Sequence, residues 1–268
     1  MPELPEVQTV INSIKDKIIN KKITNYKIYY NRVCYNTSSV YASKKILNQS
    51  IISIERIGKN IVIKLSDCYI IFHLRMTGYL YHSKNKKTTK HLRYVLKLSN
   101  RTYLNFEDIR KFGGFYYFTN LKYFYSKLGV DPFSKLFTYS WLYMELSNRR
   151  AKIKSLLLRQ DLICGLGNIY IDEVLWKSKI SPQLISKKIT KNKAKVLHYN
   201  IINILKDSIE FHGTTIMNFK FDNMKTGNYK NKLQVYGRKD QNCNRCKESI
   251  ITTKISGRTS YFCRFCQR

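Results

Sequence analysis

The sequence predicts an α+β protein with a strand-rich N-terminal part, a mainly helical middle part and a small metal-binding module at the end. Three observations favour this class. Up to about residue 130, short segments rich in β-branched and aromatic residues alternate with turn signals. From there to about residue 212, apolar residues recur at helical spacing. Beyond that point, two Cys-x2-Cys pairs stand close together.

The N-terminal part begins with a predicted helix over Glu6–Ile18, because apolar residues recur there one helical turn apart. Strands follow it, separated by turn signals such as Gly58-Lys59-Asn60. The basic, polar segment Ser83–Lys90 is predicted to be a mobile loop. The predicted strands are Lys22–Tyr30, Ile51–Ile57, Asn60–Leu65, Tyr69–Leu74, Arg93–Leu98 and Phe115–Phe118.

The middle part starts near Gly129-Val130-Asp131-Pro132, where the pattern changes to helical spacing. His212-Gly213 is a predicted helix stop, and the polar loop Lys220–Lys232 follows it. We therefore divide the chain into three predicted domains, 1–130, 131–232 and 233–268.

Four cysteines have the spacing of a zinc site: Cys243-x2-Cys246-x16-Cys263-x2-Cys266. Each Cys-x2-Cys turn can present two thiolates to one tetrahedral ion, and the intervening residues suit a short hairpin. Four thiolates would close the coordination shell, so we expect one structural Zn²⁺. The other cysteines, Cys34, Cys68 and Cys164, are expected to be small core residues.

The charge balance points to a polyanionic partner. The chain has 49 Lys and Arg against 17 Asp and Glu, a net charge of +32. Neutralising phosphates releases their condensed counterions, so nucleic acid is the expected partner. An A+T-rich genome can also raise the Lys content, but it does not by itself explain so few acids. We see no signal peptide and no apolar stretch long enough to span a membrane, and we expect a soluble, cytoplasmic protein.

Four motifs resemble the formamidopyrimidine-DNA glycosylase family. They are Met1-Pro2-Glu3-Leu4-Pro5-Glu6-Val7, Asp108-Ile109-Arg110-Lys111-Phe112-Gly113, Gly165-Leu166-Gly167-Asn168-Ile169-Tyr170 and Val235-Tyr236-Gly237-Arg238. With the cysteine module, they run along the whole chain in family order. The resemblance implies an N-terminal β-sandwich catalytic domain, a helix-two-turn-helix domain and a zinc finger. It also implies a monomer in a bacterial cytoplasm that binds double-stranded DNA containing oxidised bases or abasic sites.

The resemblance further implies which residues carry the chemistry. Pro2 would be the nucleophile after removal of Met1, because an unprotonated amine can attack C1′ of the damaged nucleotide. Glu3 would be the general acid–base and Lys59 a catalytic lysine that holds the phosphate beside the lesion. Glu6 has two interpretations: support of the Pro2 amine, or an ordinary first-turn acid favoured by the helix dipole.

The resemblance also implies how the DNA would be held and opened. Met76, Arg110 and Phe112 would fill the gap left by the everted nucleotide, although core packing is the alternative for Met76 and Phe112. Met217 departs from the family pattern, which often has a basic residue there, beside the loop that closes over the everted base. The remaining candidate DNA contacts are His73, His91, Lys154, Asn168 and Arg258.

The expected activity is removal of 8-oxoguanine and ring-opened purines, followed by strand cleavage through β,δ-elimination. An endonuclease VIII-like enzyme that prefers oxidised pyrimidines is the main alternative; Leu4 and the Arg110/Phe112 pair favour the purine branch. A non-catalytic DNA-binding homologue is a second alternative, and the intact Pro2, Glu3 and Lys59 argue against it. A zinc-ribbon RNA-binding protein would share the charge and the cysteines but would not need Pro2.

Overall fold

The structure is a computed structural model that describes residues 1–216, 219–222 and 224–268. Met217, whose identity departs from the family pattern, lies outside the described residues. The described chain divides into two units. The first contains Met1–Ser126 and Phe211–Asn228, and the second contains Lys127–Glu210 and Tyr229–Arg268. This division groups residues 211–228 with the N-terminal residues, whereas the sequence pattern had placed them in the middle domain.

The first unit is a β-sandwich flanked by helices. Its two antiparallel sheets have the orders β1-β6-β7-β5 and β2-β3-β4-β8. Phe72 of one sheet and Phe106 of the other lie 5.5 Å apart between ring centroids, within one shared hydrophobic core. The elements are α1 (Leu4–Ile18), β1 (Ile23–Ile28), α2 (Ser39–Ile46), β2 (Ile51–Ile57), β3 (Asn60–Leu65), β4 (Tyr69–His73), β5 (Gly78–Ser83), β6 (Leu92–Leu98), β7 (Tyr103–Asp108), β8 (Gly114–Phe118) and α3 (Lys122–Tyr125).

The predicted helix and all six predicted strands are present, with ends that differ by a few residues. The sequence analysis missed helices α2 and α3 and strands β5 and β7. Strand β7 was not predicted because its centre is polar. Asn105 is fully buried there and donates a hydrogen bond to Ser83 of the neighbouring strand β5. A buried polar residue with a cross-strand partner breaks the apolar alternation that marks a strand.

Helix α1 packs its apolar face against this core, where Val7, Val10, Ile11 and Ile14 are buried. Residues from the 211–228 segment join the same core through the rings of Phe219 and Phe221. These two residues, which follow helix α7 (Lys191–Glu210) in the sequence, are therefore part of the core of the first unit.

The second unit is mainly helical and ends in a hairpin. Thr138 caps the first of its longer helices by accepting a hydrogen bond from the Trp141 amide. Helix α7 ends at Glu210, and the left-handed φ angles of His212 and Gly213, 60° and 79°, confirm the predicted stop. None of the described helices is long and apolar enough to cross a membrane. The elements are α4 (Tyr139–Ser147), α5 (Ile153–Leu157), α6 (Asn168–Lys177), α7 (Lys191–Glu210), β9 (Ile250–Ile255) and β10 (Arg258–Cys263).

Candidate active site and metal centre

The start of helix α1 buries the candidate nucleophile and two carboxyl groups. Pro2 is buried, and Glu3 and Glu6 are only 3% and 2% exposed. Glu6 Oε2 accepts a hydrogen bond of 2.8 Å from the Glu3 amide, and Glu6 Oε1 accepts one of 2.7 Å from the Thr214 amide. Glu6 thus forms a capping box with Glu3 at the start of helix α1, a role that the sequence analysis had not proposed. Its support of the Pro2 amine stays a prediction.

Lys59 lies in the tight turn between β2 and β3, where Gly58 adopts a left-handed φ of 59°. The Lys59 side chain is 6% exposed, so the turn directs it inward. Its charge acts on His73, which pairs with Asn60 across β3 and β4. Burial, and then the positive charges of Arg75 and Lys59, lower the pKa of His73 to about 3.

The neutral His73 ring has a defined hydrogen-bonding pattern. Its Nδ1 accepts a hydrogen bond of 3.0 Å from the Arg75 amide. A neutral imidazole has one donor and one acceptor nitrogen, so Nε2 carries the proton. His73 can therefore donate a hydrogen bond without bringing a charge.

The three candidate wedge residues form one exposed group. Met76 is 45% exposed and Phe112 is 52% exposed, so the core-packing alternative for both is wrong. Arg110 Nη1 lies 3.0 Å from Met76 Sδ, and the Arg110 guanidinium lies 4.7 Å from the centroid of the Phe112 ring. Large apolar side chains held in solvent beside a guanidinium are typical of an interaction surface rather than a core.

Asp108 organises the backbone beneath this group, and the sequence analysis had quoted it only as part of a motif. Its fully buried carboxylate accepts hydrogen bonds from the Arg110 amide at 3.1 Å and the Gly113 amide at 2.6 Å, and from the Thr77 hydroxyl. The buried Arg93 donates to the Asp108 carbonyl at 2.8 Å. The only sequence signal for this role was the position of Asp108 two residues before Arg110.

His91 lies just before strand β6 and is partly buried. Its carbonyl accepts a hydrogen bond of 2.9 Å from the Asp108 amide. His91 thus supports the same loop through its backbone, and a contact of its ring with DNA stays a prediction.

Lys154, predicted to contact DNA, is instead a buried structural residue. Its side chain is fully buried, and its Nζ lies 2.6 Å from the Asp172 carboxylate. The prediction is wrong for a physical reason: an ammonium enclosed with its counter-ion cannot reach a phosphate. The spacing of Lys154 in the sequence gave no sign that Asp172 lies beside it.

Asn168 is the first residue of helix α6, at the predicted helix-to-helix turn. Its side-chain amide donates a hydrogen bond of 2.9 Å to the Thr259 carbonyl of the hairpin. Arg258, beside Thr259, is exposed next to the hairpin turn, where Ser256 and Gly257 have left-handed φ angles of 50° and 69°. Contacts of Asn168 and Arg258 with phosphate stay predictions.

The four predicted metal ligands lie together. The Sγ atoms of Cys243, Cys246, Cys263 and Cys266 are all within 4.8 Å of one another, the one such group found among the described residues. Four convergent sulfur atoms suit a single soft metal ion with tetrahedral coordination. The Trp176 indole Nε1 donates a hydrogen bond of 3.4 Å to Cys243 Sγ, so helix α6 contacts one ligand directly.

Comparison with known proteins places these features in a family. Residues 1–115 match the model of the formamidopyrimidine-DNA glycosylase N-terminal domain, and residues 128–220 match that of the formamidopyrimidine-DNA glycosylase H2TH domain. A β-sandwich followed by a helix-two-turn-helix region is therefore the domain pair of a DNA glycosylase. The chain belongs to the formamidopyrimidine-DNA glycosylase family.

Individual relatives match along the full length. The formamidopyrimidine-DNA glycosylase of Mycoplasma genitalium is 37% identical, over all of this chain and 96% of that protein. That of Pelotomaculum thermopropionicum is 38% identical, over all of this chain and 99% of that protein. The Lactococcus lactis enzyme in complex with abasic-site DNA has a TM-score of 0.91 at 34% identity, covering 99% of each chain. A complex of a mutant of that enzyme with Fapy-dG DNA has a TM-score of 0.92 at 34% identity, covering all of both chains.

Proposed function

We propose that this protein is a base-excision repair enzyme that removes oxidised purines from duplex DNA and cleaves the resulting abasic strand. The observation that carries the proposal is the exposed contact of Arg110 with both Met76 and Phe112, on the unit that buries Pro2 and Glu3. The exposed side chains of Met76, Arg110 and Phe112 can open a duplex. Pro2 and Glu3 can then act on the sugar of the everted nucleotide. The Lactococcus lactis relative, crystallised with abasic-site and Fapy-dG DNA, supports this substrate class.

In the proposed mechanism, removal of Met1 frees the secondary amine of Pro2. The reference pKa of an α-amino group is about 7.7–8.0, against about 10.4 for lysine, so far more of it is unprotonated at neutral pH. The amine nitrogen bonds to C1′ while the bond between C1′ and the base breaks. The base leaves with that electron pair and takes up a proton. Glu3 protonates the sugar ring oxygen as the ring opens, which leaves an iminium ion at C1′.

The iminium ion then drives strand cleavage. It withdraws electrons from C2′, so a C2′ proton is lost and the 3′ phosphate leaves with its bonding electrons. Loss of a further proton expels the 5′ phosphate, and water releases the sugar fragment from Pro2. Lys59 would hold the phosphate next to the damaged nucleotide during these steps. Glu6 keeps the start of helix α1 in place through its bonds to Glu3 and Thr214.

His73, His91, Asn168 and Arg258 are the proposed contacts to the DNA backbone around the lesion. The N-terminus of helix α6 suits phosphate because the helix dipole places positive potential there. We propose that the four-cysteine group holds one Zn²⁺, which would stabilise the hairpin that presents Arg258. We also propose that the protein acts on DNA as a monomer in the cytoplasm of a bacterium; the relatives it matches are bacterial.

The proposal can be tested by trapping the covalent intermediate. The processed protein would be incubated with borohydride and a duplex carrying one 8-oxoguanine opposite cytosine. We expect an adduct on a denaturing gel, because borohydride reduces the iminium ion to a stable amine. A form that keeps Met1 should bind the duplex normally and form no adduct.

The controls separate the nucleophile from the substrate. Pro2→Gly with a blocked terminus should also fail to trap, and unchanged trapping would remove Pro2 as the nucleophile. If the wild-type protein binds but gives no adduct, the same assay with an oxidised pyrimidine tests the endonuclease VIII-like alternative. Failure on both substrates would leave a non-catalytic DNA-binding protein.

A further inference from the structure

The loop that carries Phe112 leaves the ring of this residue largely in solvent. The Phe112 ring is 52% exposed, and the preceding Lys111 adopts a left-handed φ of 58°. Residues other than glycine hold this conformation only when neighbouring groups constrain the backbone. Besides the Arg110 guanidinium that lies over the ring, the direction of Phe112 therefore depends on hydrogen bonds to the loop backbone.

Asp108 supplies two of these backbone hydrogen bonds, to the amides of Arg110 and Gly113. The Phe112 carbonyl, between those two amides, is bound from a different element. Tyr35, in the loop between β1 and α2, donates its hydroxyl to the Phe112 carbonyl at 2.6 Å. The two residues are 77 positions apart in the sequence, and no sequence motif predicted the contact.

The Tyr35 ring is itself held in place. The Tyr35 amide donates to the Phe115 carbonyl at 2.9 Å, which fastens this segment along strand β8. The ring packs against Tyr116, with a centroid distance of 4.7 Å, and over Gly114, where a Cβ atom would lie 3.1 Å from Tyr35 Cζ. Burial raises the pKa of Tyr35 to about 12, so its hydroxyl keeps its proton at neutral pH and can donate.

We propose that Tyr35 is a positioning residue that orients Phe112 for insertion into the duplex. The inference rests on the proposed function, because it takes Phe112 as the wedge that fills the gap left by the everted nucleotide. Tyr35 reaches Phe112 through the backbone carbonyl and leaves the exposed ring available for DNA. A correctly directed wedge would lower the barrier to opening a paired site and would contribute nothing where the nucleotide is already unpaired.

The test is the variant Tyr35→Phe, which removes only the hydroxyl, on two substrates. In the first, 8-oxoguanine is paired with cytosine in a duplex; in the second, the same damaged nucleotide bulges out with no opposing base. Under single turnover, we expect excision from the paired duplex to slow by about tenfold, the effect of one lost hydrogen bond. Excision from the bulge should keep the wild-type rate. Tyr41→Phe, in a 49% exposed tyrosine that contacts Tyr117 instead, is the matched control.

Two results would overturn the inference. Equal slowing on both substrates would mean that Tyr35 supports the fold or the chemistry in general, and wild-type rates on both would mean that its hydroxyl is dispensable. If the wild-type protein excises neither substrate, the proposed function fails, and 2-aminopurine fluorescence beside the lesion then measures wedge insertion without chemistry. Slower insertion by Tyr35→Phe would still support the inference, and an unchanged insertion rate would refute it.

Discussion

The Glu6 carboxylate links two segments that lie far apart in the sequence. It accepts the Glu3 amide at the start of helix α1 and the Thr214 amide after helix α7. Gly213 makes this approach possible. Its φ is 79°, and a Cβ atom at this position would lie 2.8 Å from Glu6 Oε1. Position 213 therefore requires glycine both for its backbone conformation and for the space beside the carboxylate.

Replacing Gly213 tests this link against a matched glycine. Gly237 has a similar φ of 76°, but a Cβ atom there would meet nothing within 4 Å. We expect Gly237→Ala to cost only the left-handed strain, about 1–2 kcal/mol. Gly213→Ala should cost about 1–3 kcal/mol more, because the methyl group also displaces Glu6. Urea unfolding of both variants measures the difference.

An activity assay of the same variants tests whether the position of Glu6 also matters for the chemistry of Pro2. Gly213→Ala should also lower borohydride trapping, since Glu6 holds the turn that carries Pro2 and Glu3. Equal losses of stability in Gly213→Ala and Gly237→Ala would show that Glu6 can move aside at no cost. In that case Glu6 would not fix the start of helix α1.

Helix α6 anchors the segments around the hairpin through two consecutive buried carboxylates. Asp172 accepts the Tyr261 amide of strand β10 at 2.9 Å and pairs with Lys154 of α5. Burial raises the pKa of Asp172 to about 7, although the Lys154 charge lowers it. Glu173 accepts three successive amides at 2.8–2.9 Å, and burial raises its pKa as well. The residues bound by Glu173 are Gln234, Val235 and Tyr236.

Lys154→Met tests whether Lys154 is structural. Removing one partner of a buried ion pair leaves the other uncompensated, so we expect a loss of about 3–5 kcal/mol in urea unfolding. Without Lys154, the pKa of Asp172 rises further above its unfolded value. The folded variant then keeps the Asp172 proton to a higher pH than the folded wild type, whose Asp172 pKa is about 7, so the deficit should be constant below about pH 6 and grow as the pH rises through 7.

The double variant Lys154→Met/Asp172→Asn is the control for this pair. It removes the buried charge but keeps an oxygen acceptor for the Tyr261 amide, so it should recover part of the stability and lose the pH dependence. A stable Lys154→Met variant with weakened DNA binding would contradict the structural role. It would restore Lys154 as a DNA contact.

The hydrogen bond from Trp176 to Cys243 is expected to slow the loss of a bound metal ion. Arg245 stacks on the Trp176 ring at 4.2 Å and donates to its carbonyl at 3.2 Å, which holds the indole against the sulfur. Trp176→Phe keeps the ring and removes the donor. We expect a chelator to remove the metal about tenfold faster, as for other groups that support a metal ligand. A colorimetric zinc indicator measures the release.

Trp141→Phe is the matched control, because the chain has only two tryptophans and Trp141 packs on Phe137 instead. It should release metal at the wild-type rate. If Trp176→Phe also does so, the indole only fills space beside the cysteines.

Across the whole molecule, local sequence patterns predicted most helices and strands. They did not predict the side-chain contacts between residues that are far apart in the sequence. The periodicity of helix α1, the strands around Gly58 and the cysteine spacing are all visible within short windows of sequence. Strand β7 was missed because it carries a polar residue at its centre, Asn105, whose side chain forms a hydrogen bond with Ser83 of strand β5. The role of Tyr35 and the burial of Lys154 likewise depend on residues brought together only by folding. Periodicity reports which face of an element is buried and carries no information about its neighbour.

The net charge of +32 predicts DNA binding that weakens steeply with salt. Each phosphate neutralised by a cation contributes about 0.9 to the slope of log K against log salt. Arg258→Ala should therefore reduce the slope by about one. His73→Ala should weaken binding without changing the slope, because a His73 pKa of about 3 keeps its ring uncharged. For the same reason its effect should be equal at pH 6 and pH 8.

Fluorescence anisotropy with a duplex containing an abasic-site analogue, titrated at several salt concentrations, measures these slopes. Lys64→Ala removes an exposed cation on strand β3 outside the proposed contact set, and it should change the slope much less than Arg258→Ala. A slope reduced by His73→Ala would show that the ring takes up a proton when DNA binds. In that case a DNA phosphate beside the ring would have raised the His73 pKa to between 6 and 8. The contribution of His73 to binding would then fall as the pH rises from 6 to 8, because the ring loses its charge.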